Sequence, residues 1–162
     1  YGGGSDEYVA CAVASMKRLN DTAAAAARAL PEGSVSACTD VTGFGLAGHG
    51  SEVALASGVT LEIDAERLPV LPGALALAHE YLPCGGRANM KHFVGFVAGP
   101  KVSPEWPLIC LDPQTSGGLL LAVHPDAAEQ LEADLAKAGA SAAPVGRVVP
   151  RPAGGAPLVR LL

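Results

Sequence analysis

Two glycine-rich turns, each opened by an aspartate, constrain this chain more than any other feature. Residues 38–49 read CTDVTGFGLAGH, and residues 112–120 read DPQTSGGLL. Each follows an apolar run of strand type, so a carboxylate, hydroxyls and bare glycine backbone fall where a regular element ends. Such a stretch suits a hard cation and phosphate oxygens. The carboxylate holds the cation, hydroxyls donate to the oxyanion, and glycine lets backbone N–H groups approach closely. Gly and Asp also serve ordinary tight turns, so either stretch alone reads equally well as a structural corner.

The pattern around the turns alternates helix and strand. Val9, Ala12, Val13, Met16 and Leu19 recur at helical spacing and predict an amphipathic helix over residues 6–19. Asn20 and Asp21 cap a second helix running to about Leu30, and residues 35–39 read as a strand entering the first turn. Residues 44–57 predict a helix ended by Gly58; its glycines at 45, 48 and 50 each cost up to ~1 kcal/mol relative to alanine and imply close backbone approach. Residues 59–64 alternate with period two, as a strand with one buried face. Residues 73–81 read as a helix, and 82–107, rich in glycine and proline, give no firm pattern beyond a short strand or helical turn at 93–97. An apolar strand-like run at 108–111 enters the second turn and a strand at 119–123 leaves it. Pro125 then starts a helix terminated by Gly139, and closing strands fall at 145–149 and 158–161. The alternation predicts an α/β (α+β) fold with helices against a mixed sheet.

At 162 residues, 49% hydrophobic and 17% charged, the chain fits one globular domain. The Tyr1-Gly2-Gly3-Gly4-Ser5 start reads as a linker or cut end, giving residues 1–9 as linker and 10–162 as the domain. A net charge of −5 with scattered basic residues argues against a general nucleic-acid surface. No apolar run reaches membrane-spanning length, and a cytoplasmic protein fits best. The four cysteines form no C-x-x-C pair and the four histidines no H-E-x-x-H cluster, so zinc and redox-pair signatures are absent.

Several residues have two readings. Asp40, between a strand and a glycine turn, is a magnesium ligand or a helix cap. Thr42 donates to phosphate or caps the helix that begins near Phe44. His49 is more often a satisfied polar residue than a ligand. Thr115, Ser116, Gly117 and Gly118 make a compact hydroxyl and backbone nest of the kind that binds anions. In residues 83–89, PCGGRAN, Arg87 is able to pair with phosphate and Asn89 to bond a nucleotide or an adjacent turn, although a surface loop is the plainer reading.

Taken together, the CTDVTGFGLxGH and DPQTSGGLL stretches, with P-x-G-G-x-x-N between them, resemble the selenophosphate synthetase (selenide, water dikinase) family. The resemblance runs from about Ala10 to Leu162 and lies in that family's C-terminal half. It implies a three-layer α/β/α domain around a mixed sheet, shared with the aminoimidazole ribonucleotide synthetase-like superfamily. It also implies ATP and Mg2+ as cofactors, and a reaction of selenide, ATP and water giving selenophosphate, AMP and phosphate. By that likeness Asp40 reaches magnesium, while Thr42, Gly43, Gly45, Asn89, Thr115, Ser116, Gly117 and Gly118 line or brace the nucleotide site. The family's catalytic Cys or selenocysteine, its partner Lys and most metal ligands belong to an N-terminal domain with no counterpart here. ATP and selenide are therefore expected to act through that missing domain, in a homodimer, and this stretch alone to be inactive. Residues 84–87 depart from the family's Pro-Gly-Gly-Thr. Another superfamily ATP-using enzyme, a stand-alone nucleotide-binding or regulatory module, and a purely structural domain are the alternatives.

Overall fold

The computed structural model describes residues 5–99, 101–140 and 142–162. Of the linker expected at residues 1–9, residues 1–4 lie outside them and residues 6–9 form the start of a helix. Helix α1 (Asp6–Met16) starts where the Ser5 hydroxyl accepts the Tyr8 N–H, with Asp6 and Glu7 favourable in the first turn. It buries none of its residues, and Val9 and Met16 are exposed. Helix α2 (Asp21–Ala29) follows, then strand β1 (Val35–Asp40), helix α3 (Gly45–Ser57) ended at Gly58, and strand β2 (Val59–Ile63).

The middle of the chain departs from the periodicity. The helix expected over 73–81 contracts to α4 (Ala74–Leu77), which has no side-chain cap and no buried residue to sustain it. The segment expected as a surface loop is a helix, α5 (Cys84–His92), despite two glycines in its first turn. Tertiary packing overrides propensity there, since Gly86 and Asn89 are buried and Gly85 lies against Pro113. Strand β3 (Val97–Ala98) is short. The strand-like run at 108–111 instead belongs to helix α6 (Glu105–Cys110) and the residue that caps it, Leu111. Pro104 and Glu105 suit a helix start, and Trp106 and Cys110, one turn apart, are both buried. Strand β4 (Leu119–Val123), helix α7 (Pro125–Lys137), strand β5 (Gly146–Pro150) and strand β6 (Val159–Leu161) complete the chain.

The strands form two sheets. β1 pairs antiparallel with β4, with Asp40 opposite Leu119. The second sheet, ordered β3-β6-β2-β5, is mixed: β2–β5 is antiparallel, β2–β6 and β3–β6 parallel. Leu30, Ala127, Leu131 and Leu135 of the α2 and α7 region pack with Leu121 and Val123 on one side of the β1–β4 ladder. Helix α3 fills the space between that ladder and the mixed sheet, where Gly50 faces Leu61, Val159 and Leu120. Helices thus flank the β1–β4 ladder on both sides, in a mixed α/β fold. No helix among the described residues is long and apolar enough to cross a membrane.

β2 differs from its predicted half-burial, because its polar residues are buried too. Thr60 donates to the Pro157 carbonyl at 2.9 Å, and Glu62 pairs with Arg147 at 2.8 Å and Arg160 at 2.5 Å. A buried carboxylate needs such partners to stay charged. The Arg147 hydrogen bond leads in holding the Glu62 carboxyl below the usual range. A depressed folded-state value stabilises the fold above the ordinary carboxylate range of about 4.3 and is lost as pH falls through the lower folded value. Thermal melts from pH 7 to pH 3 are expected to show Glu62→Gln less stable than the wild type at neutral pH, with the gap closing on acidification.

Candidate functional site: two interlocked glycine turns

The two glycine turns, far apart in sequence, form one structural unit. The Val41 N–H donates to the Gly118 carbonyl at 2.9 Å, and the Gln114 N–H donates to the Thr42 carbonyl at 3.0 Å. From α5, the Asn89 side-chain amide donates to both the Gly43 and the Leu111 carbonyls, each at 2.9 Å. A third clamp comes from the far end of the chain, where the Asn20 amide donates to the Gly117 carbonyl at 3.1 Å. Asn20 therefore braces the second turn and makes no side-chain cap on α2.

The candidate glycines divide by what packing demands of them. Gly45 has φ +70°, and a Cβ there would sit 2.7 Å from the Cys110 carbonyl oxygen and 2.8 Å from that of Asp112. A Cβ on Gly117 would overlap the Val41 carbonyl. These two are glycine because the turns interlock. Gly43 and Gly118 meet nothing within 4 Å, so internal packing makes no such demand of them.

Asp40 is exposed at the end of β1, and Thr115, Ser116, Gly43 and Gly118 are exposed beside the junction. Asn89 is placed differently, 6% exposed and with its amide turned to two carbonyls. Its observed role is to brace the turns. Asn89→Ala removes two donors to carbonyls, at least one of them buried, and is expected to cost about 2–3 kcal/mol in denaturant unfolding. Asp112, the second turn's opening residue, is half-buried. Burial pushes its carboxyl upward, opposed by a 2.8 Å hydrogen bond from the Gln114 side-chain amide. Arg87 forms no ion pair among the described residues.

Thr42 does more than turn the chain. Its hydroxyl lies 2.8 Å from His49 Nε2, and His49 Nδ1 lies 2.9 Å from the Glu52 carboxylate. The Phe44 N–H also points to His49 Nε2, at 3.4 Å. A backbone N–H only donates, so Nε2 acts as an acceptor and Nδ1 carries the proton bonded to Glu52. The Phe44 ring packs against His49, His92 and Phe93. Glu52 escaped the sequence reading, although its i,i+3 spacing from His49 on a predicted helix was a usable signal.

Among the described residues no three His, Cys, Asp or Glu side chains gather as a metal cage. The donor set at the turns is thus partial for a metal ion, with Asp40 as its exposed carboxylate. Hydroxyls and open backbone at Gly43, Thr115, Ser116 and Gly118 fit phosphate oxygens better. Burial raises the Cys110 thiol to about 12, which removes it as a nucleophile.

The chain has recognisable relatives among known proteins. Over 140 residues the chain is 49% identical to the selenide, water dikinase of Nitratidesulfovibrio vulgaris, covering 85% of this chain and 39% of that protein. It is 40% identical over 146 residues to the selenide, water dikinase of Trichlorobacter lovleyi, covering 90% and 41%. The chain thus spans about two fifths of the length of these relatives. Its fold is similar to the crystal structure of E. coli HypE, a hydrogenase maturation protein, with TM-score 0.51 and 27% identity over 80% of this chain and 32% of that one. The family described as "AIR synthase related protein, C-terminal domain" matches residues 5–158, both turns included. With its interlocked turns inside that match, the chain belongs to the AIR synthase related C-terminal domain family.

Proposed function

We propose that this chain is the C-terminal domain of a selenophosphate-forming kinase, which converts selenide, ATP and water to selenophosphate, AMP and phosphate. One observation carries the reading. The two stretches most distinctive of the resemblance are the two that lock together, with a carboxylate, two hydroxyls and bare backbone left exposed beside their junction. The 49% identity to a protein named for that activity supports it over the hydrogenase-maturation alternative, whose neighbour is 27% identical.

In this reading these exposed groups hold the ATP phosphates. Thr115 and Ser116 donate to phosphate oxygens, and Gly43 and Gly118 admit them close to the backbone. Asp40 supplies one ligand to Mg2+, which neutralises phosphate charge when bound; the remaining ligands and the nucleophile come from the rest of the protein. The chain by itself is then inactive, and the full-length protein is a homodimer in the cytoplasm.

The test is selenide-dependent AMP release from ATP by the full-length protein, with the selenium-bonded phosphate identified by 31P NMR. AMP and selenophosphate in equal amounts support the reading. A well-folded, nucleotide-binding protein that releases no AMP with selenide moves the function to another ATP-using member of the superfamily.

A further inference from the structure

The Thr42–His49–Glu52 chain has a chemical consequence for any phosphate that meets the first turn. Thr42 has one hydroxyl proton, and in this structure it is directed to His49 Nε2. A phosphate oxygen at Thr42 needs that same proton. Both demands are met if Nε2 gains a proton of its own and gives up the longer, 3.4 Å contact from the Phe44 N–H. Its N–H then donates to the Thr42 oxygen, and the Thr42 O–H turns outward to the phosphate.

We propose that His49, held by Glu52, is a positioning residue for Thr42, and that binding of a nucleoside triphosphate at this turn loads one proton onto His49. The inference rests on the nucleotide reading above. The buffer acid gives up the proton and becomes its conjugate base, and the proton ends on Nε2 as a new N–H; no bond between heavy atoms changes.

The surroundings suit this role. Glu52 is the one carboxylate within 4 Å of the His49 ring nitrogens among the described residues, and it stabilises the imidazolium through Nδ1–H. His49 is 14% exposed, so the charge would form in a largely enclosed place, while the half-exposed Glu52 remains open to solvent. From α5, His92 lies on the same Phe44 ring as His49, and from β1, Asp40 stands two residues before Thr42.

The experiment is calorimetric titration of the full-length protein with magnesium and the β,γ-methylene analogue of ATP, at pH 7.5. Buffers of different ionisation enthalpy give the protons taken up per ligand bound. Wild-type protein is expected to exceed both His49→Gln and Thr42→Val by roughly 0.3–1 proton. Two variants guard against one misfolding, and a merely structural role for His49 would weaken binding without changing the proton count. Equal counts in the wild type and a variant that still binds overturn the inference and leave the nucleotide reading standing. No binding by the wild type overturns the nucleotide reading, and this inference with it.

Discussion

Gly117→Ala is expected to destabilise the protein by about 3 kcal/mol or more, whereas Gly118→Ala, one residue later, changes stability by less than ~1 kcal/mol. The new Cβ at 117 overlaps the Val41 carbonyl, a backbone atom that no rotamer change moves aside. Relief requires the turns to part. Parting them strains the Val41–Gly118 and Gln114–Thr42 backbone bonds and the Asn20 clamp together. At 118 the same methyl enters open space. For a domain of this size the first change corresponds to a fall in Tm of roughly 6–12 °C. Equal melting of the two variants would show that the interlock does not hold the fold.

Much of this unit was legible in the sequence, because glycine turns advertise themselves. The β1 and β4 strands, the α3 helix with its Gly58 end, and the α7 helix all lie within a residue or two of their predicted spans. What stayed hidden depends on contacts between distant segments. Residues 84–92 hold a helix although two glycines weaken it, since α5 is anchored by Asn89 and by packing at Gly85. Residues 108–111 look like a strand by composition, yet Pro104, Trp106 and Cys110 make the segment a helix against the core. Thr60 and Glu62 looked like a solvent face until Pro157, Arg147 and Arg160 supplied partners from the other end of the chain. In the site, the candidate residues are of three kinds that no sequence pattern separates, and Thr42, turned to His49, is one by itself. Gly45, Gly117 and Asn89 hold the turns together, whereas Asp40, Gly43, Thr115, Ser116 and Gly118 are left exposed.

Asp40→Asn is expected to reduce selenide-dependent AMP release by the full-length protein by about 100-fold or more, with little effect on folding. Asn keeps the shape of the side chain and removes only its charge. Asp40 is exposed and makes no ion pair among the described residues, so the fold has little to lose. Its backbone, paired with Leu119, stays in the ladder whichever side chain is present. The most direct measurement is therefore that rate for Asp40→Asn against wild type, with melting temperature recorded on the same samples. A collapse of AMP release at unchanged melting temperature is the predicted result. Wild-type AMP release by the Asp40→Asn protein would contradict the account, and would make the interlocked turns a scaffold with no part in the chemistry.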